Sequence, residues 1–244
     1  MRRDDADAVE LDEFAKTPWS GAWTAAGVIA LLEPLASLER CNTIQKALSQ
    51  RLDSVTLLLD GAHDPHNVAA VLRSCDAFGL QQVHVASSGA SAGAFSAASS
   101  GALMVSRKIA QGTERWVDVT HHAQPSDAVS ALRAERFVLA AAHPQGKLMP
   151  EDLVAIPRVA IVLGNEHSGI SAEVSLACEH TVRIPMRGFV ESLNLSVSAA
   201  LLIRAATMAR AGDLSETQKQ HLYARGLWRS VNRAAEILAA SEPH

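Results

Sequence analysis

Three clusters of polar residues each follow directly on an apolar run. HDPHN (63–67) follows VTLLLDGA, GNEHSG (164–169) follows RVAIVL, and MRGFVESLN (186–194) follows TVRIP. Open α/β sheets bind ligands just beyond the carboxyl ends of their strands. Three such junctions in one chain point to a composite site. Glu166, in a glycine-flanked turn, offers a carboxylate. Asn67 and Arg73 are nearly two helical turns apart, so a long arginine can reach back toward the helix start. Asn194, with Ser192 and Ser196, opens a further helix. Ordinary roles compete with each of these: Asn67 and Asn194 as helix caps, Arg73 and Glu166 as solvated charges.

Other chemistries are excluded or weak. His63 and His66 bracket Asp64 at helical spacing, but no third ligand is evident and a capping turn is the simpler reading, so no metal is expected. His121 and His122 are adjacent, and neighbours in an extended chain face opposite ways. The sequence has no GxGxxG and no GxxxxGK[ST], and GNEHSGIS has a Ser followed by Gly but does not match GxSxG. The usual dinucleotide and P-loop signatures are therefore absent, and a nucleophile elbow is not expected at GNEHSGIS.

The elements that must position these residues alternate in type. VTLLLD, QQVHVA, WVDVT, RFVLAAA, RVAIVLG and TVRIPM read as strands, the continuous apolar runs suiting buried parallel ones. Helices are predicted over Pro65 to Phe78, over PSDAVSALRAER and SAEVSLACEH, and from about Leu195 to Arg210. Two more are predicted from Ser215 to Arg225 and from Trp228 to Ala240. Asn42 is the expected cap of a helix TIQKALSQRL, and residues 18–38 suit a short helix or docked arm. SSGASAGAFSAASSGA (87–102) reads as a long surface loop with a short helix. Alternating strands and helices argue an α/β fold with a mostly parallel sheet.

Composition narrows the partners. The 244 residues hold 22 Lys and Arg against 26 Asp and Glu. The first 14 residues alone carry a charge of −4, which leaves the rest neutral, so any polyanion site is a local basic patch. Three cysteines without a CxxC read as reduced thiols in a cytoplasmic protein. The acidic amino-terminus is neither a secretory nor a transit signal, and no apolar stretch is long enough to span a bilayer.

The motifs NVAAVLRSCDAFG (67–79), IVLGNEHSGIS (161–171) and IPMRGFVESLNLSVSAAL (184–201), in that order, resemble the SPOUT superfamily of knotted RNA methyltransferases. Within it the likeness is to the TrmH-type 2′-O-ribose methyltransferases, over about residues 55–203. LLLDGAHDPHNVAAVLRSCDAFG and GTERWVDVTHH are similar to the branch that modifies a guanosine in the tRNA D-loop.

The resemblance implies a Rossmann-like, mostly parallel sheet with a carboxyl-terminal trefoil knot, flanked by helical extensions. The expected division is an acidic tail and helical extension (1–50), the core (51–211) and an RNA-binding extension (212–244). It implies a homodimer whose active sites lie at the subunit interface. S-adenosylmethionine is expected to bind against Gly164, Ile184 and Leu193, with Leu163, Asn165, Met186 and Ser192 nearby and the loop from His143 to Gly146 completing the pocket. Arg73 takes the catalytic role, by stabilising the developing ribose alkoxide, since a guanidinium hardly deprotonates. Asn67, Glu166, Ser192 and Asn194 shape the site and hold Arg73 or the cofactor.

For RNA, the stretch from Arg204 to Arg233 has a local charge of +4. Arg225, Arg229 and Arg233, with Lys46 and Arg51, are the expected phosphate contacts. Arg107, Lys108 and Arg115 are expected nearer the target nucleotide. The alternatives are a ribosomal RNA substrate and a catalytically silent RNA-binding member that keeps the knot. A small-molecule α/β enzyme using His63 and Glu166 is a rival from another class.

Overall fold

The structure, a computed structural model, describes residues 8–10, 18–19, 22–61, 64–86, 104–106, 116–166 and 168–242. His63, the segment 87–102, Arg107, Lys108 and Arg115 lie outside the described residues. The strands are β1 (Ala8–Glu10), β2 (Val55–Asp60), β3 (Gln82–Ala86), β4 (Met104–Ser106), β5 (Asp118–His122), β6 (Val138–Ala142), β7 (Val159–Gly164) and β8 (His180–Val182). The helices are α1 (Ala25–Leu32), α2 (Leu38–Leu48), α3 (Pro65–Ala77), α4 (Pro125–Ala134), α5 (Ala172–Ala177), α6 (Leu195–Thr207), α7 (Glu216–Ser230) and α8 (Ala234–Ala239).

The chain divides into two compact units, residues 1–15 with 53–210 and residues 16–52 with 211–244. The first is built on a six-stranded sheet of order β5-β3-β2-β7-β6-β8 in which every pairing is parallel. β1 and β4 form a separate antiparallel pair. Both VTLLLD and VAIVLG are central strands, and nearly every residue in them is buried. Such strands are covered on both faces, which is why they read as unbroken apolar runs. Leu57, Leu58 and Leu59 are fully buried, and each contributes roughly 1.5–3 kcal/mol by leaving water.

α3 follows β2 through a turn capped by Asp64, which accepts from the His66 amide at 2.9 Å. Pro65, with φ preset and no N–H to satisfy, starts the helix. Its buried stripe is Val68, Ala69, Val71, Leu72 and Cys75. Gly79, at φ 81°, takes the left-handed position that ends it. α6 packs against α3, β2 and β7, burying Leu195, Ala199, Leu202, Ile203 and Ala206. Beyond it, Arg210 donates to the Ala206, Leu153, Ile156 and Pro157 carbonyls.

The second unit brings residues 16–52 together with residues 211–244. The Tyr223 hydroxyl donates to Glu33 Oε1 at 2.6 Å, and the Asp213 amide to the Arg51 carbonyl at 3.0 Å. A Cβ at Gly212 would stand 2.1 Å from the Ser49 carbonyl oxygen, so these two backbones touch only because position 212 is glycine. α7 opens on a reciprocal capping box between Ser215 and Gln218.

Several boundaries differ from those expected. α2 begins at Leu38 under a Ser37 cap, not under Asn42. α7 passes through Gly226 to Ser230 instead of stopping at Arg225. Residues 222–227 are all buried, and packing around Gly226 offsets its roughly 1 kcal/mol helix penalty. β8 stops at Val182 rather than extending through TVRIPM. Pro185 has no N–H for a ladder beyond it.

Candidate active site

The loop after β7 is pinned to the end of β2. Asp60 pairs with Gly164 across the two strands. Its buried carboxylate accepts the Ser171 amide at 2.7 Å. Asn165 Nδ2 donates to the Gly61 carbonyl at 2.9 Å, and Asn165 Oδ1 accepts the Ser168 amide. The turn closes through paired Asn165–Gly169 backbone bonds, with Gly169 at φ 69°. A Cβ at Gly164 would come within 2.2 Å of the Gly169 carbonyl carbon, so the turn folds directly onto the strand end.

The three polar clusters meet in one hydrogen-bonded chain. Asn67 Nδ2 donates to Glu166 Oε1 at 2.5 Å. Asn194 Nδ2 donates to Asn67 Oδ1 at 3.0 Å. Asn194 Oδ1 accepts from the Ser196 amide at 2.8 Å and the Ser196 hydroxyl at 2.6 Å. A carboxylate only accepts, so Glu166 dictates that Asn67 presents its nitrogen. Asn67 then turns its oxygen to Asn194, which must donate in turn. One carboxylate thus orients residues from all three clusters. Asn194 caps α6 as well, whereas the cap of α3 is Asp64, leaving Asn67 for this network.

Beside this chain lies a cleft of about 520 Å³ at the carboxyl ends of β6, β7 and β8. Of the residues expected at the cofactor, His143, Leu163, Gly164, Asn165, Ile184, Met186 and Leu193 line it, together with Glu166 and Ser192. Gly146 does not line it. It lets the 143–146 loop lie on β8, since a Cβ there would fall 2.4 Å from the Val182 carbonyl carbon. Ala141, Ile170, Thr181, Glu191 and Ser198 also line the cleft and were not singled out from sequence. All lie next to strand ends or motif residues, which was the available signal. Among the described residues no group of three His, Cys, Asp or Glu could hold a metal ion.

Arg73 stands apart from the network. It is exposed, and among the described residues it shares no hydrogen bond with Asn67, Glu166 or Asn194. Six residues carry it about 9 Å along α3 and onto another face, so of the two roles expected for these side chains, holding Arg73 or the cofactor, a contact with Arg73 is not formed among the described residues. Arg51 and Arg225 depart from expectation too. At 5% and 7% exposure they are buried. Charge counting cannot separate such arginines from surface ones. Arg229 is half-buried, Lys46 and Arg233 are exposed, and Arg233 is ion-paired with Glu236.

A parallel sheet with a mixed apolar and polar cleft at its carboxyl edge is the arrangement in which α/β folds bind ligands. The profile of the SpoU rRNA Methylase family matches residues 54–204, and the chain belongs to that family. It is therefore an RNA methyltransferase that uses S-adenosylmethionine. Among relatives, the Escherichia coli K12 tRNA (guanosine(18)-2′-O)-methyltransferase is 28% identical over 215 residues, 84% of this chain and 89% of the relative. The 23S rRNA (guanosine-2′-O-)-methyltransferase RlmB of Coxiella burnetii is 28% identical over 177 residues, 72% of this chain and 67% of the relative. The A. aeolicus TrmH/SpoU tRNA modifying enzyme superposes with a TM-score of 0.66 at 22% identity, over 80% of this chain and 98% of that one, which establishes the shared fold.

Proposed function

We propose that the chain methylates the ribose 2′-hydroxyl of a guanosine in the D-loop of tRNA. The observation that carries the reading is the Asn194–Asn67–Glu166 chain, which unites three distant segments beside the cleft. The cleft suits the cofactor in size, within the roughly 300–1,000 Å³ usual for such ligands. Leu163, Ile184, Met186 and Leu193 offer apolar walls for a purine, and Asn165, Ser192 and Thr181 offer polar ends. The tight approach at Gly164 brings backbone, not side chain, to the wall. Bound there, S-adenosylmethionine supplies a methyl group already activated on a sulfonium.

The protein must then align the ribose and help its hydroxyl lose a proton. Asn67 and Asn194, held in fixed orientations by Glu166, position the ribose. Arg73 stabilises the developing alkoxide as a fixed cation. Its exposure suits a site completed by a second copy of the chain. α6 supports such a homodimer, because Val197 and Leu201, one helical turn apart, and Met208 at its carboxyl cap are exposed. A dimer doubles the 25.9 kDa mass in light scattering, and a monomeric mass sinks it. The return of α6 from edge strand β8 to the sheet centre supports the knot expected for this region.

tRNA is favoured over ribosomal RNA by the relative matched along 89% of its length. Exposed Lys46 and Arg233 of the second unit, with Arg229, are the proposed phosphate contacts. The test is nucleoside mass spectrometry of purified tRNA and ribosomal RNA incubated with enzyme and labelled cofactor. Labelled 2′-O-methylguanosine from tRNA supports the assignment, and its appearance only in ribosomal RNA overturns it.

A further inference from the structure

One limb of the cleft runs into a stretch of exposed residues that opens with Arg187, Gly188, Phe189 and Val190. The residues on either side of this tip, Met186 and Glu191, both line the cleft. Phe189 has a relative exposure of 106%, so its ring is covered by almost nothing in its own chain. A Cβ added at Gly188 would meet nothing within 4 Å, so the backbone of the tip is equally bare. Aromatic residues are only 4% of the sequence, with five phenylalanines, and one of them stands in solvent at the mouth of the cleft. Two residues of chain span at most about 7 Å, which bounds the separation of Phe189 Cα from Glu191 Cα.

We propose that Phe189 is the platform on which an unpaired base of the RNA substrate stacks, with Arg187 meeting the adjoining phosphate. This rests on the RNA methyltransferase reading above. An enzyme that must reach a ribose hydroxyl beside a cofactor takes its nucleotide splayed from the helix, and an unstacked base needs a new partner for its face. Aromatic rings supply that partner for any base. No Phe, Tyr or Trp is among the described residues lining the cleft, where the one aromatic ring is the His143 imidazole. Phe189 therefore brings to the mouth the flat apolar surface that the cleft lacks. Arg187, two residues earlier, carries a cation on the same exposed tip, as backbone contact requires.

The experiment compares Phe189→Ala, Phe189→Leu and Phe189→Tyr in the full chain. RNA affinity is read by fluorescence anisotropy with a tRNA transcript, alongside KM and kcat, cofactor affinity by calorimetry, and mass by light scattering. Stacking predicts about a ten-fold loss of RNA affinity, and a matching rise in KM, for Ala and Leu but not for Tyr. Cofactor affinity and mass stay unchanged. Wild-type RNA affinity in Phe189→Leu overturns the proposal, because an apolar contact would then suffice. A changed mass or a lost cofactor affinity in Phe189→Ala also overturns it, marking a subunit or cofactor contact instead. If the wild-type chain methylates no RNA, the reading of the reaction fails, while the anisotropy series still decides the platform. A wild-type chain that binds no RNA removes both.

Discussion

On the β7–β6–β8 side of the sheet, strands end beside partly exposed amides and a carboxylate linked in one directional hydrogen-bonded chain. On the β3–β5 side, β5 ends in His122, and His84 stands in the middle of β3. His84 is 2% exposed, and its Nδ1 lies 2.9 Å from Nε2 of His122, with the rings stacked 13° from parallel. Burial, helped by the neighbouring His122, pushes the His84 imidazole down to about 4. Burial likewise lowers His122, against the pull of Asp127. Both regions are polar, and His122, like the network, sits at the carboxyl end of its strand. The difference is that one end keeps a charge in solvent and uses it to orient its neighbours, while the other holds its titratable groups neutral. Polar residues at strand ends mark a site only in the first arrangement.

The largest expected effect is that of Gly164→Ala. Its Cβ falls 2.2–2.5 Å from backbone atoms of Gly169 and Ile170, so the turn must move. Cofactor binding should vanish in calorimetry while far-UV dichroism is kept, and wild-type affinity would show that the turn does not form the pocket. Arg73→Ala comes next, with a fall in kcat of about 10²–10³ and unchanged cofactor affinity. Turnover near the wild-type rate removes Arg73 from the chemistry.

The other side of the sheet should respond in stability instead. The folded protein keeps His84 neutral down to about pH 4, whereas an unfolded chain protonates it below about 6.5. Stability therefore falls as pH drops from 6.5 toward 4, by on the order of 3 kcal/mol, with no contribution above that window. His84→Leu should flatten this part of the urea-midpoint profile and leave methyl transfer at pH 8 within about two-fold. An activity loss there would mean that the histidine pair belongs to the site after all. Smallest is Asn194→Ala, which removes an α6 cap worth about 1 kcal/mol and one link of the chain. A kcat lowered by about ten-fold at nearly unchanged cofactor affinity is expected, and full activity would show that the network is only a cap.

Much of the sheet was legible because buried parallel strands are unbroken apolar runs, as in VTLLLD and VAIVLG. The helix ends were less so, since Ser37 and Asn42 are both plausible caps and only packing chooses between them. Gly226 shows the same limit, because a stop signal fails where the surrounding helices enclose it. The meeting of Asn67, Glu166 and Asn194 could not be read from spacing at all. They are 99 and 127 residues apart, and their union came from the family likeness. The burial of Arg51 and Arg225 could not be read either, because a charge count carries no direction. Arg210 had been counted in the basic stretch in the same way, yet the fold spends it on backbone carbonyls.

The ties from Asp60 to Ser171 and from Asn165 to Gly61 make the cleft a readout of strand alignment. A slip of β2 by one residue against β7 would shift Asp60 by about 3.3 Å and turn it to the opposite face. Ser171 would then lose its acceptor and the Asn165 turn its anchor. A chain with a misaligned sheet can be compact and helical and still have no pocket. Titration with the cofactor thus counts the fraction of molecules whose central strands are in register, an assay of folding quality that spectroscopy of secondary structure cannot provide.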